Sequence, residues 1–300
     1  MRNGKVKIWL RAIRPFSFTG SIIPVVLGAI LALKQNEFNV IYSVLSLIGI
    51  MMLHAGVNLL SDHDDFVNKV DTIESSGSSG VIIENLLSLK AVLYVGKLLL
   101  ISGFAIGLFL AFSRGWIVLL LGFIGAFGGY SYTGKPFALK YRGLGAPLVF
   151  LLFGPLLVIG SYYVQTQTIT VAALFVSIPV GLLTTAILHA NDIRDILHDR
   201  KAGIKTLSII IGKSNAEKLY CGLIICSYAA VLLMAFYKII PYWSLACLIT
   251  VPGAVKVIKI LYKKGETNPD IVMLDKMTAQ LHAQFGSVLV LSVLLPSIFK

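Results

Sequence analysis

The chain is 300 residues long, 57% hydrophobic and only 13% charged, whereas soluble domains are near half apolar and one quarter charged. These proportions exclude a water-soluble fold and a disordered chain. The three cysteines (Cys221, Cys226, Cys247) sit in apolar runs without CxxC spacing, which excludes a disulfide scaffold. The net charge of +12 is spread over short loops, a pattern that orients membrane proteins and speaks against nucleic acid.

In chain order, the first segment (residues 1–15) is basic and carries Ile8, Trp9 and Ile13, with Phe16 just beyond. No small-residue cleavage site follows, so it reads as an amphipathic interfacial segment rather than a signal peptide. A bilayer core of roughly 30 Å needs about 20 apolar residues per helix. Such runs occur at 16–33, 40–60, 91–112, 115–132, 144–164, 170–191, 216–237, 240–260 and 282–299. The expected fold is therefore all-α: one domain over 1–300, a bundle of nine transmembrane helices around a central cavity open to the cytoplasmic side. The short alternating segments of a β-barrel are absent from the sequence.

Charge supports this count. With nine crossings, 21 of the 26 Lys and Arg fall on the side that holds the N-terminus. The other side has Lys34, Arg114, Lys238 and Lys300, and Lys97 lies within a span. The asymmetry predicts a cell (cytoplasmic) membrane protein with its N-terminus in the cytoplasm and its C-terminus outside.

Of the 14 Asp and Glu, only Glu37 lies on the outer side. Seven others form two clusters: Asp62, Asp64, Asp65 and Asp71 after the second span, and Asp192, Asp195 and Asp199 after the sixth. On a continuing helix Asn58, Asp62 and Asp65 share one face, as do Asp192, Asp195 and Asp199; Asp64 points elsewhere. Like charges at these spacings repel, so two facing rows call for a cation between them. Oxygen-only ligands favour a hard ion, and Mg²⁺ takes one or two carboxylates plus substrate phosphates. Lys135, Lys140, Arg142, Arg194, Arg200, Lys201 and Lys205 lie close in sequence and suit the remaining phosphate oxygens. The pattern describes a site for a diphosphate with an apolar tail.

At these residues the sequence resembles the UbiA superfamily of intramembrane prenyltransferases. The family's first motif, N-x-x-x-D-x-x-D, matches Asn58, Asp62 and Asp65; its second matches Asp192, Asp195 and Asp199. RPFSFTGSIIPVVLG (14–28), YTGKPFALKYRGLG (132–145), FGPLLVIGSYYVQT (153–166) and NDIRDILHDRKAGIKTL (191–207) are most similar to the MenA-type branch, which uses 1,4-dihydroxy-2-naphthoate. Ser61, Lys69 and Gly80 depart from the family pattern.

The resemblance implies Mg²⁺-dependent transfer of a polyprenyl group from its diphosphate to an aromatic ring, here with loss of carbon dioxide to give demethylmenaquinone, a step of menaquinone biosynthesis. It implies Asp62, Asp65, Asp192, Asp195 and Asp199 as metal ligands, with Asp71 and Asp199 in catalysis. Asn58, Lys135, Lys140, Arg142, Arg194 and Lys205 would bind the diphosphate. Tyr132, Tyr141 and His189 would wall the acceptor or the allylic cation. Arg14, at the first span's entrance, would meet phosphate or lipid headgroups. His54 reads as a helix–helix hydrogen-bonding residue, and SSGSSG (75–80) as a linker or a lid. Other acceptors of the family are 4-hydroxybenzoate, homogentisate, haem and a glycerol-phosphate lipid. A cation-coupled transporter is the rival from another class, but it predicts carboxylates near the midplane and on both sides.

Overall fold

The computed structural model describes residues 2–68, 79–262 and 269–298. Its elements are helical throughout. A short amphipathic helix, α1 (Arg2–Ile13), precedes the first span. Nine helices among the described residues are long and apolar enough to cross a membrane. They are α2 (Pro15–Leu33), α3 (Val40–Val67), α4 (Leu89–Arg114), α5 (Trp116–Thr133), α6 (Gly145–Thr166) and α7 (Val171–Arg194). After two short helices, α8 (Ile196–Lys201) and α9 (Leu207–Ile211), come α10 (Lys213–Phe236), α11 (Tyr242–Leu261) and α12 (Asp270–Pro296).

The helices start and stop where local chemistry dictates. Asn39, Ser88 and Thr170 cap α3, α4 and α7 by accepting backbone N–H bonds. Gly115, at φ +99°, reverses the chain between α4 and α5, a conformation that favours glycine. Two of the helices depart from the sequence expectation in extent. Helix α3 runs seven residues past its apolar run, carrying the first aspartate row without a break. Helix α12 begins well before residue 282, because Asp275, Thr278 and His282 are buried among partners instead of lying in a loop.

Helices α2, α6, α7, α10, α11 and α12 share one large apolar core, with Leu27, Val158, Tyr162, Leu183, Tyr220, Phe285 and Leu289 fully or almost fully buried. Most of α7 is enclosed by protein, whereas α4 and α5 turn most of their apolar side chains outward, as lipid-facing helices do. Close packing between α2 and α6 depends on Gly28: a Cβ there would stand 2.4 Å from the Val158 carbonyl oxygen. Helices α6 and α7 meet at Gly154 and Gly181, where either Cβ would lie 2.9 Å from the other residue's Cα.

The amino-terminal segment is anchored on the bundle. The apolar face of α1 packs on the protein: Ala12 is buried with Leu59 of α3, Val92 of α4, and Val81 and Ile82, while Ile8, Trp9 and Ile13 pack alongside. Val81 and Ile82, after the first aspartate row, supply part of the apolar cover of α1.

Candidate active site

Helix α3 places Asn58, Asp62 and Asp65 on one face near its carboxyl-terminal end. Asp62 is buried and fully partnered. One carboxylate oxygen accepts from the Arg14 guanidinium, and the other from the Ser79 hydroxyl and, at 3.3 Å, the Ser79 N–H. Arg14 reaches it from a left-handed turn (φ +53°) between α1 and the first turn of α2. That conformation costs a non-glycine residue about 1 kcal/mol, which the ion pair offsets. The Asn58 amide donates to the Ile13 carbonyl (2.9 Å) and the Ser17 hydroxyl (3.2 Å). Asp64 points away, as expected, and pairs with His63. His54 bonds Ser17 and Ser21, joining α2 to α3.

Asp65 faces the segment between α5 and α6. The Tyr141 hydroxyl donates to one of its oxygens at 2.9 Å, and the Lys140 ammonium stands 3.5 Å from the other. A short helical turn, Leu139–Tyr141, presents these two side chains. Burial alone would lower the Lys140 pKa. The attraction of Asp65, Tyr132, Tyr141 and Asp192 outweighs it and holds the ammonium charged well above its ordinary range. Burial, then the negative charge of Asp65, pushes the Tyr141 phenol upward despite the opposing pull of Lys140. Tyr132 sits on α5, half-buried.

The second row arises where α7 ends. The helix stops at Asp195 (φ −95°, ψ 7°) and restarts as α8, with the Asp195 N–H bonded to the Asn191 carbonyl at 2.9 Å and the Asp199 N–H to the Asp195 carbonyl at 2.8 Å across the break. Asp192 and Asp199 are buried. Asp195 instead turns to its neighbour: Arg194 holds both its oxygens, Nε at 2.9 Å and Nη2 at 2.8 Å. The third nitrogen of Arg194 pairs with Asp275 of α12 at 2.9 Å. Burial raises the Asp199 carboxyl to about 6; Asp195 and Asp65 add repulsion, against the pull of Lys140 and His198.

The two rows therefore come together around Lys140, which acts electrostatically on Asp65, Asp192 and Asp199 alike. A chain ammonium occupies the gap where like charges would otherwise confront one another. Several expected ligands lie elsewhere. His189 is fully buried, bonding the Ala216 carbonyl of α10 at 3.0 Å through Nε2. Arg194 is spent on two carboxylates. Arg142 donates to the Pro136 carbonyl, and its backbone pairs with that of Lys205, tying the α5–α6 segment to the stretch after α8. Arg142, Lys205 and Lys135 are exposed beside this junction. Asp71 and Lys69 lie outside the described residues, as do residues 75–78 of the SSGSSG stretch. Sequence reasoning did not single out Ser79 as a partner of Asp62, nor Asp275 at all; the apolar spacing of Leu274, Leu281 and Phe285 was the available sign that α12 starts before 282.

The family model described as "UbiA prenyltransferase family" matches residues 21–279, a stretch that includes both aspartate rows and Lys140. The chain belongs to the UbiA prenyltransferase family. Among curated relatives, the 1,4-dihydroxy-2-naphthoate octaprenyltransferase of Bacillus subtilis (strain 168) is 29% identical over 94% of this chain and 90% of its own. UbiA prenyltransferase domain-containing protein 1 of Dictyostelium discoideum is 32% identical over 95% of this chain and 86% of its own. Among solved structures, a UbiA homolog from Archaeoglobus fulgidus bound to GPP and Mg²⁺ superposes with a TM-score of 0.61 at 16% identity, covering 94% of this chain and 99% of that one. A digeranylgeranylglyceryl phosphate synthase gives 0.62 at 19% identity, covering 99% and 100%. The fold of this UbiA-family chain is thus an all-α, multi-pass membrane bundle.

Among the described residues no three His, Cys, Asp or Glu side chains gather as a ready metal cage. The donor chemistry nonetheless fits Mg²⁺, which is held by one or two carboxylates together with phosphates and waters. Asp192 and Asp199 are buried carboxylates with no Lys or Arg at ion-pair distance among the described residues, while Asp65 is shared with a lysine that can swing away. An apolar crevice of about 430 Å³ lies elsewhere, between α4 and α5, lined by Phe104, Trp116 and Phe123. It holds no carboxylate and belongs to the lipid-facing surface.

Proposed function

We propose that this chain is a Mg²⁺-dependent prenyltransferase that moves a polyprenyl group from its diphosphate to 1,4-dihydroxy-2-naphthoate, with loss of carbon dioxide. The observation that carries the reading is the convergence of Asp65, Asp192 and Asp199 on Lys140 at the membrane edge. The acceptor rests on the Bacillus subtilis relative, whose name specifies it and whose alignment spans nearly the whole chain. Asp65, Asp192 and Asp199 would hold Mg²⁺, with Asp195 and Asp62 joining when released from their arginines. The metal would supply charge neutralisation on the leaving diphosphate.

The chain's own groups do the rest. Lys140, already charged and half-buried, turns from Asp65 to a diphosphate oxygen, and Lys135, Arg142 and Lys205 stand exposed around it to grip the others. The allylic C–O bond breaks and the diphosphate leaves with the electron pair. The Tyr132 and Tyr141 rings face the cationic carbon, and the electron-rich acceptor ring attacks it, forming the new C–C bond. Loss of carbon dioxide leaves its bonding pair in the ring. Packing around the buried carboxylates excludes water that would otherwise capture the cation. Asp71 would orient or deprotonate the acceptor. The active end faces the cytoplasm, with the N-terminus inside and the C-terminus outside, and the isoprenoid tail remains in the bilayer.

The test is to incubate purified protein with Mg²⁺, a polyprenyl diphosphate and a panel of acceptors, and to identify products by mass spectrometry. Prenylated, decarboxylated naphthoate is the expected product. Prenylation of 4-hydroxybenzoate, homogentisate, haem or a glycerol-phosphate lipid instead would replace the acceptor and keep the reaction class. No product with any acceptor, together with cation flux in proteoliposomes free of diphosphate, would replace the enzyme with a transporter.

A further inference from the structure

We propose that Asp275 is a positioning residue for the second aspartate row: by sharing the Arg194 guanidinium it leaves Asp195 able to turn to a divalent cation. The inference rests on the reading of this site as a metal–diphosphate site. Arg194 spans two carboxylates, holding Asp195 through Nε and Nη2 and Asp275 through Nη1 at 2.9 Å. Both the Arg194 and Asp275 side chains are only 5% exposed, so their interaction is weakly screened. Asp275 Oδ1 is buried with no hydrogen-bond donor beside it among the described residues. A guanidinium released by Asp195 therefore has a second acceptor on the same carboxylate, and a fork on Asp275 can replace the fork on Asp195. Asp275 also lies in the first turn of its helix, where a negative charge is favoured.

Charge counting gives the sign. Two carboxylates and one guanidinium leave the triad with one net negative charge. Without the Asp275 charge, Arg194 is matched by Asp195 alone, and binding a cation through Asp195 would strand a buried guanidinium.

The experiment compares wild type with Asp275→Asn, by calorimetric Mg²⁺ binding in the presence of inorganic diphosphate and by Mg²⁺ titration of turnover. The expected result is an Mg²⁺ dissociation constant and half-saturation raised about fivefold, roughly 1 kcal/mol, with kcat at saturating Mg²⁺ within about twofold of wild type. Asp64→Asn, which removes an exposed carboxylate paired to His63, is the control for general loss of negative charge and is expected to shift neither quantity. Unchanged Mg²⁺ binding in Asp275→Asn overturns the proposal, as does a loss of kcat with an unchanged half-saturation or an equal shift in Asp64→Asn. Wild-type protein that binds no Mg²⁺ with diphosphate overturns the metal-site reading itself. If Asp275→Asn does not accumulate folded, Asp275→Ser titrated with Mg²⁺ in native membranes gives the same decision.

Discussion

Lys140 stands between carboxylates of two different helices, and its removal separates two roles of that charge. Lys140→Met should destabilise the metal-free protein by about 3 kcal/mol, because it leaves buried carboxylates without their cation. Millimolar Mg²⁺ should restore much of the melting temperature in detergent while turnover stays low; a melting curve indifferent to Mg²⁺ would contradict the shared-gap picture. Asp65→Asn and Asp195→Asn should each lower turnover by at least about 100-fold, the scale of losing charge stabilisation at a reacting centre, with the melting temperature close to wild type. The Asp199 carboxyl, raised to about 6 by burial and neighbouring carboxylates, gives the pH dependence its sign. Above about 7 it is ionised and available to a metal, and as pH falls through 6 a proton competes. The Mg²⁺ half-saturation should therefore rise on acidification from 7 to 5, and Asp199→Asn should flatten that rise.

Helices carry these side chains to one place, and their contacts set how much change they tolerate. Gly28→Ala puts a methyl group against the Val158 carbonyl and should cost about 1–3 kcal/mol, visible as a lower melting temperature. Spans were readable from hydropathy because lipid enforces one rule over twenty residues at a time. The amino end of α12 was not, since Asp275 and His282 read as loop until the Arg194 ion pair and the Thr184 hydrogen bond are seen. For α1 the amphipathic pattern reports an apolar face but not what covers it, and Val81 and Ile82 cover part of it here. Spacing brought Asp62 and Asp65 to one helical face, whereas the Arg194 fork on Asp195 and its link to Asp275 of α12 were not legible in it. His189 precedes the second row, and its bond to the Ala216 carbonyl of α10 is a partner that proximity in sequence does not reveal.

Across the whole molecule, buried helices α2 and α7 form the centre, while α4 and α5 face outward. Both aspartate rows lie at the same end of the bundle, and the proposed orientation, which rests on charge bias, has that end in the cytoplasm. A cysteine introduced at Lys238 into a chain whose own three cysteines are replaced by serine should react with an impermeant maleimide from outside intact cells, and one introduced at Lys201 should react only after lysis. The reverse pattern would invert the topology. The fastening of Asp62 has a practical corollary. One carboxylate secures the turn entering α2 through Arg14 and the strand of chain leading into α4 through Ser79, and α1 is wedged between them. Trimming the first dozen residues, or crowding them with a rigid fusion partner, would loosen the packing beside the first aspartate row, so affinity handles belong at the far carboxyl end.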